Sequence, residues 1–209
     1  MYIGRFVILG KTPAGQWYLG YRVSSRSFPN RIIVAKADRA MVVPTPDAPK
    51  SDNPYISYNC LRTHGKVVVA ANGSHADPII DKVAVGMNLR DALALSLLAL
   101  DYEKDDYNTP RIAAALDLAA DQGYLAIVAK DKLDVRRMDV APGQAYLIAT
   151  YERTDPTPIA LAGEDAKALC DAIYDCEYEK PVAVIAAVPA QGGLQTATRA
   201  AHTGAVSGL

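Results

Sequence analysis

The chain is short of the residues that staple or metallate small proteins. It has three cysteines, Cys60, Cys170 and Cys176, and three histidines, His64, His75 and His202, in 209 residues. Three thiols cannot all pair within one chain and no CxxC is present, so neither a disulfide framework nor a zinc finger is expected. A surplus of one charge is also missing: 22 basic residues meet 23 acidic ones, for a formal net charge of −1. Nothing global draws such a chain to nucleic acid or to an anionic membrane, and an anion site has to come from a local cluster. No uncharged apolar run reaches the roughly 18 residues of a membrane span. The opening fifteen residues lack the order of a signal peptide, because Arg5 interrupts their apolar run. These absences lead to the expectation of a cytoplasmic protein that engages neither membrane nor nucleic acid. What is there, half hydrophobic and 22% charged, is an ordinary globular balance.

The first seventy residues read as strands, with candidates at Ile3–Leu9, Gln16–Ser25, Arg31–Lys36, Ala40–Val43, Tyr55–Arg62 and Lys66–Ala71. Pro44 to Pro54 holds four prolines and reads as an exposed loop. Helical signals follow: His75–Gly86, then a run capped by Asn88 with leucines at 89, 93, 97 and 100 through about Glu103, then a start at Thr109-Pro110 with Ile112, Ala115, Leu116 and Ala119 as its stripe. Strands resume at Tyr124–Lys130, Asp134–Asp139 and Ala145–Arg153, a helix spans Glu164–Asp175, and Val182–Val188 is a late apolar strand. Segregated blocks of strands and helices predict an α+β fold with largely antiparallel sheets. Strands apolar on both faces need cover on both sides, which two stacked sheets between helix layers provide. The expected organisation is a single domain over 1–189 and a loosely ordered Gly/Ala/Thr-rich tail over 190–209.

Several segments carry candidate chemistry. On a strand, Arg22, Ser24 and Arg26 share one face, and two guanidinium groups flanking a hydroxyl form a phosphate cradle that Arg31 can close. The alternative is a solvated face with surface arginines. Tyr58 can donate a proton and Asn59 can read an amide, or both belong to an edge strand. Cys60 reads as a small packed residue and Cys170 as core. Lys66 opens a strand as either a charge in a cleft or an exposed gatekeeper. Asn108 and Thr109 with Arg111 form an anion site if they begin a helix, and Glu103 is a candidate general base. Tyr151 ends an apolar strand, where functional groups project from a sheet.

Taken together, Met1-Tyr2-Ile3-Gly4-Arg5-Phe6, the run Tyr21 to Arg31, Tyr55-Ile56-Ser57-Tyr58-Asn59-Cys60 and Tyr107-Asn108-Thr109-Pro110-Arg111-Ile112 resemble the archaeal-type IMP cyclohydrolase family, in order and up to about Val188. The resemblance implies a four-layer αββα sandwich like that of N-terminal nucleophile hydrolases. Residue 2 is tyrosine, so removal of Met1 exposes no Cys, Ser or Thr nucleophile. It further implies ring closure of 5-formamidoimidazole-4-carboxamide ribonucleotide to IMP, with no cofactor and no metal. On it, Tyr58, Lys66 and Glu103 are the catalytic candidates. Arg22, Ser24, Arg26, Arg31, Asn59, Asn108, Thr109, Arg111 and Tyr151 bind the ribotide. A homo-oligomer is expected. Competing expectations are an amide hydrolase on the same fold, a non-catalytic purine-nucleotide-binding module, and a structural domain that binds no ribotide.

Overall fold

The computed structural model describes residues 1–201. In chain order the elements are β1 (Phe6–Lys11), β2 (Trp17–Ser24), β3 (Arg31–Ala35), β4 (Arg39–Pro44), β5 (Tyr58–His64), β6 (Val67–Ala71), α1 (Ala76–Ala84), α2 (Leu89–Leu100), β7 (Arg111–Asp117), β8 (Gln122–Ala129), β9 (Lys132–Met138), β10 (Ala145–Ala149), β11 (Thr157–Pro158), α3 (Ala166–Tyr174), β12 (Pro181–Ala190) and β13 (Gly193–Ala200). The fold is α+β, as the blocked order predicts. Two sheets form, β11-β10-β1-β2-β12-β13 and β3-β4-β5-β6-β7-β8-β9, and every paired neighbour is antiparallel.

The layers follow from which faces are apolar. The main core lies between the sheets, where Val7, Leu9, Leu19 and Tyr21 meet Val42, Val68, Ile112 and Ile127. On the outer face of the second sheet, Val69, Ala113 and Ala115 pack under Ile79 and Ile80 of α1 and Leu93 and Leu97 of α2. On the outer face of the first, Phe6, Ile8, Val184 and Ala186 take Leu169, Cys170 and Ile173 of α3. Each strand apolar on both faces is thus buried on both, and the order of layers is helix, sheet, sheet, helices.

Helix ends follow local rules. Asn88 accepts from the Asp91 amide at 3.0 Å and caps α2, and Asp165 accepts from the Ala168 amide at 2.8 Å and caps α3. Two expectations fail. The segment after Thr109-Pro110 is strand β7, paired on both sides, and the Thr109 hydroxyl binds Asp105 and Tyr151 instead of capping a helix. Six of the seven β7 residues are buried. An alanine-rich run buried on both faces loses the period-2 signal, and its helix propensity is overridden by sheet pairing. The tail expectation also fails over Gly193–Ala200, where β13 pairs with β12 from Ala183↔Ala200 to Ala190↔Gly193. The remainder of that tail, 202–209, lies outside the described residues.

Candidate active site

The cleft sits where the two sheets end together. Arg5 precedes β1, Ser24 ends β2, and Thr150 and Tyr151 follow β10; opposite them, Arg31 begins β3, Tyr55 and Ile56 precede β5, and Thr109 precedes β7. Antiparallel pairing brings these ends to one side: Phe6 lies against Arg22 and Ala149, and Arg31 against Pro44. They enclose a cavity of about 350 Å³. That is the lower end of the range that holds small ligands, roughly 300–1,000 Å³.

At its base lies a buried ion pair. Arg5 donates from Nη2 to Glu103 Oε2 at 2.6 Å and from Nη1 to Glu103 Oε1 at 3.2 Å, with a further bond to the Asn72 carbonyl. Glu103 is 1% exposed. Burial disfavours the Arg5 cation, but the Glu103 carboxylate together with Tyr58 and Tyr21 outweighs it, and the guanidinium is held well above the ordinary arginine range. Behind the pair, Arg111 donates from Nε to the Asp101 carbonyl at 2.8 Å, and its Nη1 stands 3.9 Å from Glu103. His75 is fully buried and binds the Ile112 carbonyl through Nε2 at 2.9 Å. A carbonyl only accepts, so Nε2 carries the proton. Burial, then the charge of Arg111, pushes the His75 pKa down to about 3.

One wall is aromatic and hydroxylic. Tyr2 and Tyr151 stack with centroids 6.1 Å apart, and the Arg26 guanidinium lies 4.0 Å over the Tyr2 ring. Tyr151 shares a 2.7 Å hydrogen bond with Thr109 Oγ1, which donates to Asp105 at 2.6 Å. Burial raises both phenols, Tyr2 and Tyr151, so they stay protonated near neutral pH. Gly4 makes this wall possible. Its φ is +73°, and a Cβ there would lie 2.1 Å from Thr150 Oγ1. Ser24 Oγ is buried at the cleft without a hydrogen-bond partner among the described residues.

Of the expected site residues, Ser24, Arg26, Arg31, Glu103, Thr109 and Tyr151 line the cleft. The others do not. Arg22 faces α3, because side chains alternate and its neighbours Tyr21 and Val23 fill the inter-sheet core. It donates to the carbonyls of Ile173, Cys176 and Tyr178 instead of to a phosphate. Asn59 donates to Asp77 of α1 at 2.8 Å, beside an Arg62–Asp77 ion pair. Lys66 is exposed on the β5–β6 hairpin, at the opposite end of those strands from the cleft. Asn108 is an exposed turn residue with φ +49°, a conformation asparagine tolerates. Arg111 stands behind Glu103, outside the lining. Tyr58 is buried beneath the cleft, its hydroxyl 2.6 Å from that of Tyr21. Cys60 is packed as expected: its thiol reaches the Ala40 carbonyl and burial pushes its pKa up, so it stays protonated.

Tyr2, Arg5, Tyr55, Asp105 and Glu152 also line the cleft, though none was given a role from the sequence. For Arg5 a signal existed. A cation inside an apolar run that must be buried requires a partner, but Glu103 is 98 residues away in the chain.

The fold and the cleft define an α+β protein with a small polar cavity at the ends of two stacked sheets, built from arginines, phenols and hydroxyls. Residues 2–193 match the model of a family described as IMP cyclohydrolase-like protein, and the chain belongs to that family. It is 49% identical over 183 residues to an IMP cyclohydrolase of Natronomonas pharaonis, covering 87% of this chain and 90% of that one. It is 43% identical over 203 residues to an IMP cyclohydrolase of Methanococcus maripaludis strain C7, covering 95% of this chain and all of the other. An IMP cyclohydrolase of Methanocella arvoryzae is 46% identical over 183 residues, 87% and 90% of the two chains.

Proposed function

We propose that the chain closes 5-formamidoimidazole-4-carboxamide ribonucleotide to IMP with loss of water. The observation that carries this, beside family membership, is the pairing of an anion anchor with an immobilised cation in one cleft. Arg31 is buried at the lip of the cleft with its Nε on the Phe28 carbonyl, and Arg5 is forked onto Glu103. The first suits the 5′-phosphate and the second suits a developing oxyanion.

The chemistry divides among the lining residues. The carboxamide nitrogen attacks the formyl carbon, a C–N bond forms, and the formyl oxygen departs as water. Arg31 anchors the phosphate, and Arg26 beside Tyr2 faces the ribose. This holds the formamido group near its target. Arg5 stabilises the formyl oxyanion, a role worth about 3 kcal/mol for one donor. Glu103 has both oxygens on Arg5, so it sets the place of that cation instead of acting as the free base. Glu152 lines the cleft with no partner among the described residues and accepts the amide proton. Tyr2 and Tyr151, held protonated by burial, supply the proton for the departing hydroxyl. Condensation of an amide with a formamide changes no oxidation state, so the reaction calls for no redox cofactor.

No helix among the described residues is long and apolar enough to cross a membrane. We place the protein in the cytoplasm as a homo-oligomer, the latter supported by Leu95 and Leu98 standing 45% and 64% exposed on α2. The test of function is an absorbance assay with purified protein and the formamido ribotide. Conversion to IMP well above the uncatalysed rate is expected. Folded protein that binds IMP without turnover would leave only a nucleotide-binding module.

A further inference from the structure

The hydrogen bonds along one wall of the cleft have a fixed direction. Asp105, Thr109 and Tyr151 all line the cavity. Thr109 Oγ1 stands 2.6 Å from Asp105 Oδ2 and 2.7 Å from the Tyr151 hydroxyl. Asp105 also accepts, on Oδ1, from the Thr109 amide at 2.8 Å and the Tyr107 amide at 3.3 Å. An ionised carboxylate has no proton to give, so the hydroxyl proton of Thr109 points at Asp105. Thr109 Oγ1 then has only lone pairs left for Tyr151, and the phenol is the donor of the second bond. The proton of Tyr151 is therefore directed into the protein, and its oxygen turns a lone pair to the cleft.

Both ends of this chain are braced. The Asn108 amide, in a residue at φ +49°, donates to the Asp105 carbonyl at 3.0 Å and closes the turn that carries the carboxylate. The Tyr151 amide donates to the Ile3 carbonyl at 3.1 Å. Burial is the largest influence on the Tyr151 phenol, and the Thr109 bond and the Arg5 charge act against it. The cleft end of the chain thus lies in the field of the cation that faces the formyl oxygen.

The reaction has a proton for such a chain to carry. Closure removes one proton from each of two nitrogens, the carboxamide and the formamido, and the oxygen departs with both. Glu152 takes the first and returns it to the alkoxide. We propose that Tyr151, Thr109 and Asp105 form a relay that carries the second. As the formamido nitrogen forms its C=N bond and the C–O bond breaks, its proton passes to Tyr151, that of Tyr151 to Thr109, and that of Thr109 to Asp105. The chain now points the other way, with the Tyr151 proton toward the cleft. The relay runs back as Tyr151 gives that proton to the departing hydroxide, water leaves, and Asp105 is a carboxylate again. Tyr151 is the catalytic residue of this step, and Thr109 and Asp105 are positioning residues that act through it. This deepens the cyclisation reading above and rests on it.

The test is the single-turnover rate of the saturated enzyme in mixtures of light and heavy water, for wild type, Thr109→Val, Thr109→Ser and Asp105→Asn. Thr109→Val keeps the shape and removes the hydroxyl. It is expected to slow closure about 100-fold, the lower end of what general acid–base catalysis supplies, with IMP affinity within about threefold of wild type. Thr109→Ser is expected to restore most of the rate. Asp105→Asn, which has no carboxylate to take the proton, is expected to match Thr109→Val. The wild-type rate is expected to curve with deuterium fraction, the mark of several protons moving in one step, and the Asp105→Asn rate to be linear. A purely structural role would leave that curvature in place. The wild-type curve and Asp105→Asn decide the matter should Thr109→Val fail to fold. A linear wild-type dependence, or closure indifferent to Asp105→Asn, overturns the relay and leaves cyclisation standing. Folded wild-type protein that does not close the ribotide removes both.

Discussion

Tyr21 and Tyr58 share a single 2.6 Å hydrogen bond across the space between the two sheets, directly beneath the cleft. Tyr21 is fully buried, and burial, then the neighbouring Tyr58, pushes its phenol well above the ordinary tyrosine range. Replacing one partner leaves the other hydroxyl unsatisfied, which costs about 1–3 kcal/mol, whereas replacing both with a ring of the same shape can be nearly neutral. Tyr58→Phe is therefore expected to lower stability by about 2 kcal/mol, and the double variant Tyr21→Phe/Tyr58→Phe to recover most of it. Urea unfolding of the three proteins checks this, and strictly additive losses would refute it.

The Arg5–Glu103 fork sets up a sharper loss. Removing one partner of a buried pair strands the other charge, at about 3–5 kcal/mol. Glu103→Gln is expected to fall in that range and to abolish detectable turnover, because Arg5 loses its fixed orientation. Arg5→Lys is expected to fare little better, since an ammonium cannot fork onto two oxygens. Chemical denaturation together with the cyclisation assay separates the two effects.

His75 predicts an acid-sensitive core. Its folded pKa of about 3 lies below the roughly 6.5 of an unfolded histidine. Between those values the unfolded chain binds the proton and the native chain does not, so stability falls as pH drops from about 6.5 toward 3. The contribution is at most about 1.4 kcal/mol per pH unit. His75→Gln, whose amide can still reach the Ile112 carbonyl, is expected to flatten the dependence of the urea midpoint between pH 6 and 4. An unchanged slope would show that other groups govern acid sensitivity.

Arg22 separates structure from binding. It holds three carbonyls at and beyond the C-terminal end of α3, where a cation also suits the helix dipole. Arg22→Met is expected to destabilise the protein by about 3 kcal/mol through orphaned carbonyls. Its KM for the ribotide is expected to stay within about twofold, since the side chain never reaches the cleft. A selective rise in KM with wild-type stability would return Arg22 to the phosphate.

Strand blocks, the cap at Asn88, and the burial of Cys60 and Cys170 were legible because each depends on neighbours within a few residues. The helix expected after Thr109 was misread for the opposite reason. Whether Ile112, Ala115 and Leu116 are strand or helix depends on β6 and β8 arriving on either side. The site divides in the same way. Alternation holds within β2, where Arg22 faces α3 while Tyr21 and Val23 fill the core, but β2 ends at Ser24 and Arg26 lies beyond it, so Arg22 and Arg26 do not share one site. Arg31 lines the groove as expected. Arg5 and Glu103 meet only through the folded sandwich, and one sequence carries no trace of that pairing.

Arg5 lies just before β1 of the first sheet, and Arg31 opens β3 of the second. The opening between them is therefore a property of the sandwich filling. Trimming a large side chain midway between the sheets, such as Ile127 or Leu19, would let the layers settle closer and narrow the groove from beneath without touching one lining residue. Ligand fit in this protein is gauged by the thickness of its core.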